Sequence, residues 1–479
     1  MSVFLKRITS ILLVSAFVLL LSACATNNAG NTEPSKQANG KDSNGTDTPS
    51  KDQERVTLHF YTVSDYDKME YDAIIPEWNK LHPDIEVKIV VLTGADGWDK
   101  IRTALAGGEK IDIAMMERDM FYDKADKMYL RLNDSLEQAG MNYLYEFGEY
   151  GRATMVGDDI YGIAKILSPS GVIYNKKVFD QAGVQLPDDN TWTYADYFDV
   201  IKQLTQKDGK RVSVYGGMHW QYNYAGILDL ATYGGWDVVT EDGKPNIDSP
   251  ILKSAAEMYH KALFIDQSMP TDADIQATSL SAVYGVFGGQ IGTTLAASNN
   301  LLAMDEFRVG GQLPEEADEN DWIGLLKMPR WDQNSPANQI TTIVTSYSIA
   351  RASEHPEEAF EFLKWYTTKG LELSAKVAHR IPAWKHANRE QLVKDWRYYP
   401  GKDGQLVEGK ARDELYAKAL DPSLVAIFPK YRSLYPYSAL MLQELRKELT
   451  LVLAGEKEIE KALNDAQKAA EAIYEREKQ

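Results

Sequence analysis

Cysteine is nearly absent. Cys24 is the only one in 479 residues, so no intramolecular disulfide can form and the fold must rest on burial and hydrogen bonding. Long apolar runs are missing as well. The stretch from about Ile11 to Leu21 falls short of the roughly 20 consecutive apolar residues that cross a bilayer, which excludes a spanning helix there. Basic residues are in the minority, 52 Lys and Arg against 70 Asp and Glu, and the net charge of −18 argues against a nucleic-acid partner, because like charge opposes encounter. Catalytic signatures are also lacking: the chain has no GxSxG, HExxH, GxxxxGK[ST] or CxxC. The seven histidines are scattered, and His379 with His386 is a coincidence of spacing rather than a metal pair. No cofactor, ATP or metal site is expected.

What is present begins at the N-terminus. Lys6 and Arg7 precede the short apolar stretch, and Leu21, Ser22, Ala23 and Cys24 close it, the layout of a secretory signal peptide with its cleavage site. LSAC resembles the lipobox of bacterial lipoproteins, which implies cleavage before Cys24 and a diacylglyceryl group on its sulfur. Two or more acyl chains meet the requirement for stable anchoring, at about 0.8 kcal/mol per buried CH₂. From Thr26 to about Arg55 the chain is rich in Asn, Ser, Thr, Gly, Lys and Asp and has too little apolar content to bury a core. It is expected to be a disordered tether with a mean reach of roughly 30 Å.

The body beyond the tether is long enough for two domains. Val56, Leu58 and Phe60 alternate with polar residues as a strand does; Tyr71, Ile75, Trp78 and Leu81 recur at helical spacing up to Pro83; Ile85, Val87, Ile89 and Val91 alternate again. Trp98, Ile101 and Leu105 read as a second helix, followed by the run IDIAMM. This order predicts a parallel α/β sheet. Ligands of such sheets bind outside the carboxyl ends of the strands, where Tyr61, Asp65, Trp98, Glu117, Arg118 and Asp119 stand. A second α/β pattern follows a break expected at Ser168 to Gly171. Helices are expected at Tyr194 to Leu204, Pro356 to Thr368, Ser438 to Leu453 and along the tail from Glu456 to Glu477.

Seven stretches, in order, resemble the extracytoplasmic solute-binding proteins of ABC importers, in the class that captures oligosaccharides. They are IIPEWNKLHPDIEVKI, ALAGGEKIDIAMM, DIYGIA with VIYNKKVFDQAGVQLPDDNTWTYADY, FGGQIGTTL, SYSIARASEHPEEAFEFLKWY, HRIPAW and LAGEKEIEKALNDAQ. Asp196 stands near a position where that class often has an acidic residue, and Lys165 follows Gly162, Ile163 and Ala164, a run in which that class usually has a proline. Whether Lys165 reaches a ligand is a question for the structure. The resemblance implies an α/β, two-lobed, periplasmic-binding-protein-like fold, each lobe an open, mostly parallel sheet flanked by helices, with the ligand cleft between them. The implied division is 1–23 signal peptide, 24–54 lipidated cysteine and tether, 55–166 plus 323–378 lobe 1, and 167–322 plus 379–479 lobe 2. Hinge crossings are then expected near Lys165 to Ser168, Trp322 to Pro329 and His379 to Trp384.

A sugar offers apolar CH faces and a rim of hydroxyls, so its site needs flat rings and groups that donate and accept hydrogen bonds. Trp220, Tyr222 and Tyr224 alternate with His219, Gln221 and Asn223, in a segment where the resembled class often places stacking aromatics. The same comparison singles out Trp236, Trp384, Ser298 and Asn299. Arg118 and Arg380 are candidates for paired hydrogen bonds to hydroxyls, or to a carboxylate if the sugar is a uronate. The implied partners are an oligosaccharide and a membrane ABC permease, with the protein itself a lipid-anchored, extracytoplasmic monomer and not an enzyme. Three readings compete: a binding protein for a peptide, polyamine or metal complex; a lipid-anchored glycoside hydrolase, which needs two carboxyl groups at a set distance; and a surface adhesin.

Overall fold

The computed structural model describes residues 55–478 except 64–67, 93–96, 117–124, 220–223, 298–299, 301–321, 337–338, 341, 379, 397, 401–402, 404, 409–417, 419–420, 422–424 and 428. Strand β1 (Val56–Thr62) turns Leu58, Phe60 and Thr62 inward, as its period of two requires. Helix α1 (Lys68–Leu81) packs Tyr71, Ile74 and Trp78 into the same core, with Pro76 inside the helix. Two expectations for this face are corrected: Ile74 rather than Ile75 is the fully buried isoleucine, and Leu81, the last helical residue, lies beyond the packing and is exposed. Strand β2 (Ile85–Val91), helix α2 (Gly97–Gly107) and strand β3 (Ile113–Met115) follow. β1 pairs in parallel with both β2 and β3, as the helical crossovers demand.

The long strand β4 (Ile163–Asn175) runs without interruption through Ser168, Pro169, Ser170 and Gly171, where a break was expected. Proline is tolerated here because the strand changes partners at this point. Up to Pro169 it pairs with β8 (Thr342–Ile349, introduced here with β5 Arg211–His219, β6 Ile291–Ala297 and β7 Ile323–Leu326). From Ser170 onward it pairs with β6, and at Val172 to Asn175 also with β7. The sheet order is β2-β1-β3-β8-β4-β6-β5, with Gln206–Asp208 at the far edge.

Two main cores divide the body into two lobes. The first gathers Phe60, Trp78, Ile163, Tyr347 and Phe362, and the second Val172, Tyr197, Trp236, Leu295 and Leu445. Two expected boundaries move accordingly. Residues 323–326 belong to the second lobe, because β7 pairs with the distal half of β4 and Met328 lies in the second core. Residues 381–396 belong to the first, because β9 (Ile381–Pro382) pairs with Ile166 and Leu167, and Ala383, Leu392 and Trp396 lie in the first core. The second and third crossings therefore fall between 331 and 342 and between 396 and 427.

The second lobe is held by well-specified helices. Helix α3 (Tyr194–Leu204) opens with a capping box in which Thr193 and Asp196 satisfy each other's backbone N–H. Such a cap contributes roughly 0.5–2 kcal/mol. This also gives Asp196 its role, at 2.8 Å from the Thr193 N–H rather than at a ligand. Helices α4 (Tyr224–Tyr233), α5 (Pro250–His260), α6 (Ser438–Leu453) and α7 (Ile459–Glu477) complete the lobe. In α7, whose sequence repeats Ile459, Leu463, Ala466 and Ala470 at helical spacing, the last three are buried together with Ala462 and Ile473, and Ile459 is only partly buried. Among the described residues, no helix is long and apolar enough to cross a membrane.

Candidate functional site

The carboxyl ends of β1, β2, β3, β5 and β6 are followed, after at most one residue, by 64–67, 93–96, 117–124, 220–223 and 298–299. Asp65, Glu117, Arg118, Asp119, Trp220, Tyr222, Ser298 and Asn299 all lie outside the described residues. The candidates that are described fall into three groups.

Tyr61 and Trp98 share one face of the first lobe. They flank an apolar cluster of Ile101, Ala104, Ala114 and Met116, on the sheet face opposite the main core. The Tyr61 hydroxyl is held above its ordinary pKa by burial and, secondarily, by Glu109. It is therefore a neutral donor at ordinary pH beside a half-buried indole, the kind of surface on which a sugar face packs.

Tyr224, Trp236 and Trp384 are each engaged elsewhere. Trp236 is 1% exposed and its indole N–H donates to the Asn246 carbonyl at 2.8 Å. It is a core residue with no free ring face, which corrects the expectation that it stacks on ligand. The Trp384 N–H donates to Glu146 Oε2 at 2.8 Å, and the Lys369 ammonium lies 4.5 Å from its ring. This fixes the indole against the first core. Tyr224 packs on the second core with the Arg446 guanidinium 5.5 Å from its ring.

Arg380 and Lys165 converge on Glu70. Lys165 Nζ lies 2.7 Å from Glu70 Oε1, with both side chains at 0% exposure, and Arg380 Nε lies 3.9 Å from Glu70 Oε2. The Tyr366 hydroxyl donates to the same carboxylate. The ammonium is also ringed by Tyr71, Tyr347 and Tyr366, with centroids at 5.7, 5.3 and 5.1 Å, each favourable to a cation in a desolvated setting. Lys165 thus points into the first core, against Glu70 and three tyrosine rings.

A pocket that sequence reasoning missed lies in the second lobe. It is placed by His219, the last residue of β5, by Leu295 near the end of β6 and by Ser170 at the crossing, with Tyr194, Tyr233 and Asp229 around it. It is a cavity of about 20 Å³, room for a single water molecule. Burial raises the pKa of Tyr194, with smaller contributions from Tyr233, Asp229 and Tyr197, and burial likewise raises Tyr197 and Tyr259. The phenols are therefore held protonated. One sequence signal pointed here: Asp229 is the only charged residue of helix α4, YAGILDLATY. Among the described residues, no group of His, Cys, Asp or Glu is arranged to hold a metal ion.

Two α/β lobes that share a continuous crossing strand, with candidate residues at the strand carboxyl ends, define a two-lobed binding protein. The model of the bacterial extracellular solute-binding protein family matches residues 68–372, and this chain belongs to that family. It is 25% identical over 326 residues to the arabinooligosaccharide-binding protein of Halalkalibacterium halodurans, covering 64% of this chain and 66% of that one. It is 22% identical over 305 residues to the lactose-binding protein of Rhizobium radiobacter, covering 62% and 66%. The matched stretches thus span just under two thirds of these relatives. In fold it is similar to the ABC substrate-binding protein of Listeria monocytogenes in complex with cycloalternan, at TM-score 0.67 and 18% identity over 88% of this chain and 98% of that one. It is also similar to the maltose/maltodextrin-binding domain of Bdellovibrio bacteriovorus bound to maltotriose, at TM-score 0.64 and 16% identity over 88% and 100%.

Proposed function

We propose that this protein captures an oligosaccharide between its two lobes outside the cytoplasm and delivers it to an ABC permease. The observation that carries this is the family match over 68–372 on a fold in which the strand Ile163–Asn175 runs from one lobe into the other. Relatives named for arabinooligosaccharide and lactose binding support a carbohydrate ligand. Closure would bring the strand ends of the two lobes together, with Tyr61 and Trp98 on one side and His219 on the other.

The N-terminal segment fits the same role. Cleavage before Cys24 and lipidation of its sulfur would leave a monomeric body on a tether of roughly 30 Å, concentrated near its importer. The protein would act without catalysis, releasing its sugar intact.

The test is intrinsic tryptophan fluorescence titrated with a panel of oligosaccharides, followed by mass analysis of the recovered sugar. Saturable binding with the sugar unchanged is the expected result. Cleavage products would point to a hydrolase, and saturation only by peptides or polyamines would replace the ligand class.

A further inference from the structure

The second lobe also carries an open pocket of about 280 Å³, lined by Tyr224, Asp272, Ala273, Thr450, Leu453 and Ala454. That is far larger than the cavity beside Asp229 and close to the ~300 Å³ at which ligand pockets begin. Asp272, Ala273, Thr450 and Ala454 are themselves exposed, so the pocket opens to solvent. Tyr224 opens helix α4 five residues after His219, the last residue of β5, and so lies within about 18 Å of it. The pocket thus stands near the carboxyl edge of this lobe's sheet, the edge at which ligands of such folds bind.

Its walls are built in advance. Tyr224 and Leu453 pack on the second core, and the Arg446 guanidinium lies 5.5 Å from the Tyr224 ring. Thr271 caps the short helix Asp272–Thr278 in a capping box closed by Asp274, whose carboxylate accepts from the Thr271 N–H at 2.9 Å. The cap therefore makes no use of Asp272, whose carboxyl pKa is raised by partial burial. A carboxylate in that state gains from donors that reach it. The Thr450 hydroxyl donates to the Arg446 carbonyl at 2.8 Å, which leaves its oxygen able to accept. Ring, apolar wall, carboxylate and hydroxyl oxygen together match a sugar unit, which offers CH faces and donating hydroxyls. A cation stacked on Tyr224 would instead meet the guanidinium of Arg446.

We infer that this pocket is a subsite for one unit of the oligosaccharide, with an apolar face of the sugar against Tyr224 and Leu453 and its hydroxyls donating to Asp272 and Thr450, and that affinity therefore grows with chain length until a unit reaches it. This rests on the carbohydrate reading above and adds the length of the ligand to it.

The experiment is calorimetric titration of the purified protein with arabino-, malto- and galacto-oligosaccharides, each series running from the disaccharide to the hexasaccharide. In a series that binds, affinity should rise at least about tenfold along its length, the effect of one good hydrogen bond to a charged acceptor. Asp272→Ala removes the acceptor, and Ala454→Phe fills the pocket from an exposed position. Each variant, checked for intact fold by circular dichroism, should cut that rise to less than about threefold. A rise that survives in either folded variant would overturn the subsite, and so would an affinity independent of length in the parent. Equal loss at every length would overturn it too, because a general disturbance of the lobe produces that pattern. No binding in any series would remove the carbohydrate reading itself, and this inference with it.

Discussion

Glu70 on helix α1 and Lys165 on the crossing strand meet at 2.7 Å with neither side chain exposed. The pair ties the strand that leads out of the first lobe to that lobe's first helix, five residues before Ser170, where β4 changes partners. The Ala383 N–H donates to the Lys165 carbonyl at 2.8 Å, so the segment after Arg380 is fastened to the same point. Bending between the lobes should therefore begin beyond Leu167.

Breaking this pair from one side should be costly. Lys165→Met leaves a buried carboxylate without its ammonium and should lose about 3–5 kcal/mol, read as a lower urea midpoint at unchanged slope. The double change Glu70→Gln with Lys165→Met removes both charges and should recover at least half of that loss. If the double variant is no more stable than the single one, the pair is not what stabilises this region.

Retention at the membrane should depend on one atom, the Cys24 sulfur. Cys24→Ala should move the protein from the membrane fraction to the medium or periplasm, while sugar affinity in solution stays the same. A variant that remains with the membrane would sink the anchoring proposal.

Much of the scaffold was legible in the sequence because hydrophobic period and end signals agreed. The α3 helix starts and stops where TWTYAD and Leu204 predicted, and α6 spans Ser438–Leu453 as expected. The crossings were less legible. Ser-Pro-Ser-Gly carries the composition of a break, yet the chain continues as a strand because tertiary pairing on both sides overrides local preference. The fate of Lys165 and Arg380 was hidden for a related reason: their partner Glu70 is 95 positions before Lys165, and no local pattern links them. Trp236 misled because large aromatics suit cores and sugar sites equally. Among the cavity residues, His219 stood in a segment singled out by its alternation and Asp229 as a lone carboxylate in an apolar helix.

The buried phenols make stability fall at alkaline pH. Burial pushes the Tyr143 hydroxyl up to about 12, against the opposing effect of its hydrogen bonds with Thr154 and the Ala164 N–H, and burial also raises Tyr194, Tyr197 and Tyr259. An unfolded tyrosine ionises near pH 10, so between that pH and the folded value the native state holds a proton that the unfolded state has lost. Stability is then full below about pH 10 and falls above it by about 1.4 kcal/mol per pH unit for each such residue. Urea midpoints measured across this range should drop steeply, and part of the tyrosinate absorbance should appear only together with unfolding. Complete tyrosinate formation in a folded protein would contradict this.

A second buried pair, Asp237 with Arg432, lies next to the point where the returning chain meets the first lobe. Asp237 accepts from the backbone N–H groups of Val238, Tyr431 and Arg432 and from Arg432 Nε, at 2.7, 2.7, 3.0 and 2.9 Å. These bonds fix residues 431–432 to the second lobe. One residue on, the Ser433 carbonyl accepts from the Gly157 N–H at 3.1 Å, and Gly157 belongs to the turn of the first lobe's Met155–Val156 and Asp159–Ile160 hairpin. The strap is thus rigid on one lobe and in contact with the other. Asp237→Ala leaves a buried guanidinium and three N–H groups without this acceptor and should cost about 3–5 kcal/mol. Because the loosened strap also meets Gly157, ligand affinity should fall in the same variant, measured at a temperature where circular dichroism reports a native fold. Asp237→Asn keeps part of the hydrogen bonding and should lie between Asp237→Ala and the parent in both measurements. Unchanged affinity in a destabilised Asp237→Ala would mean that the strap supports the second lobe alone and has no part in setting the lobes against each other.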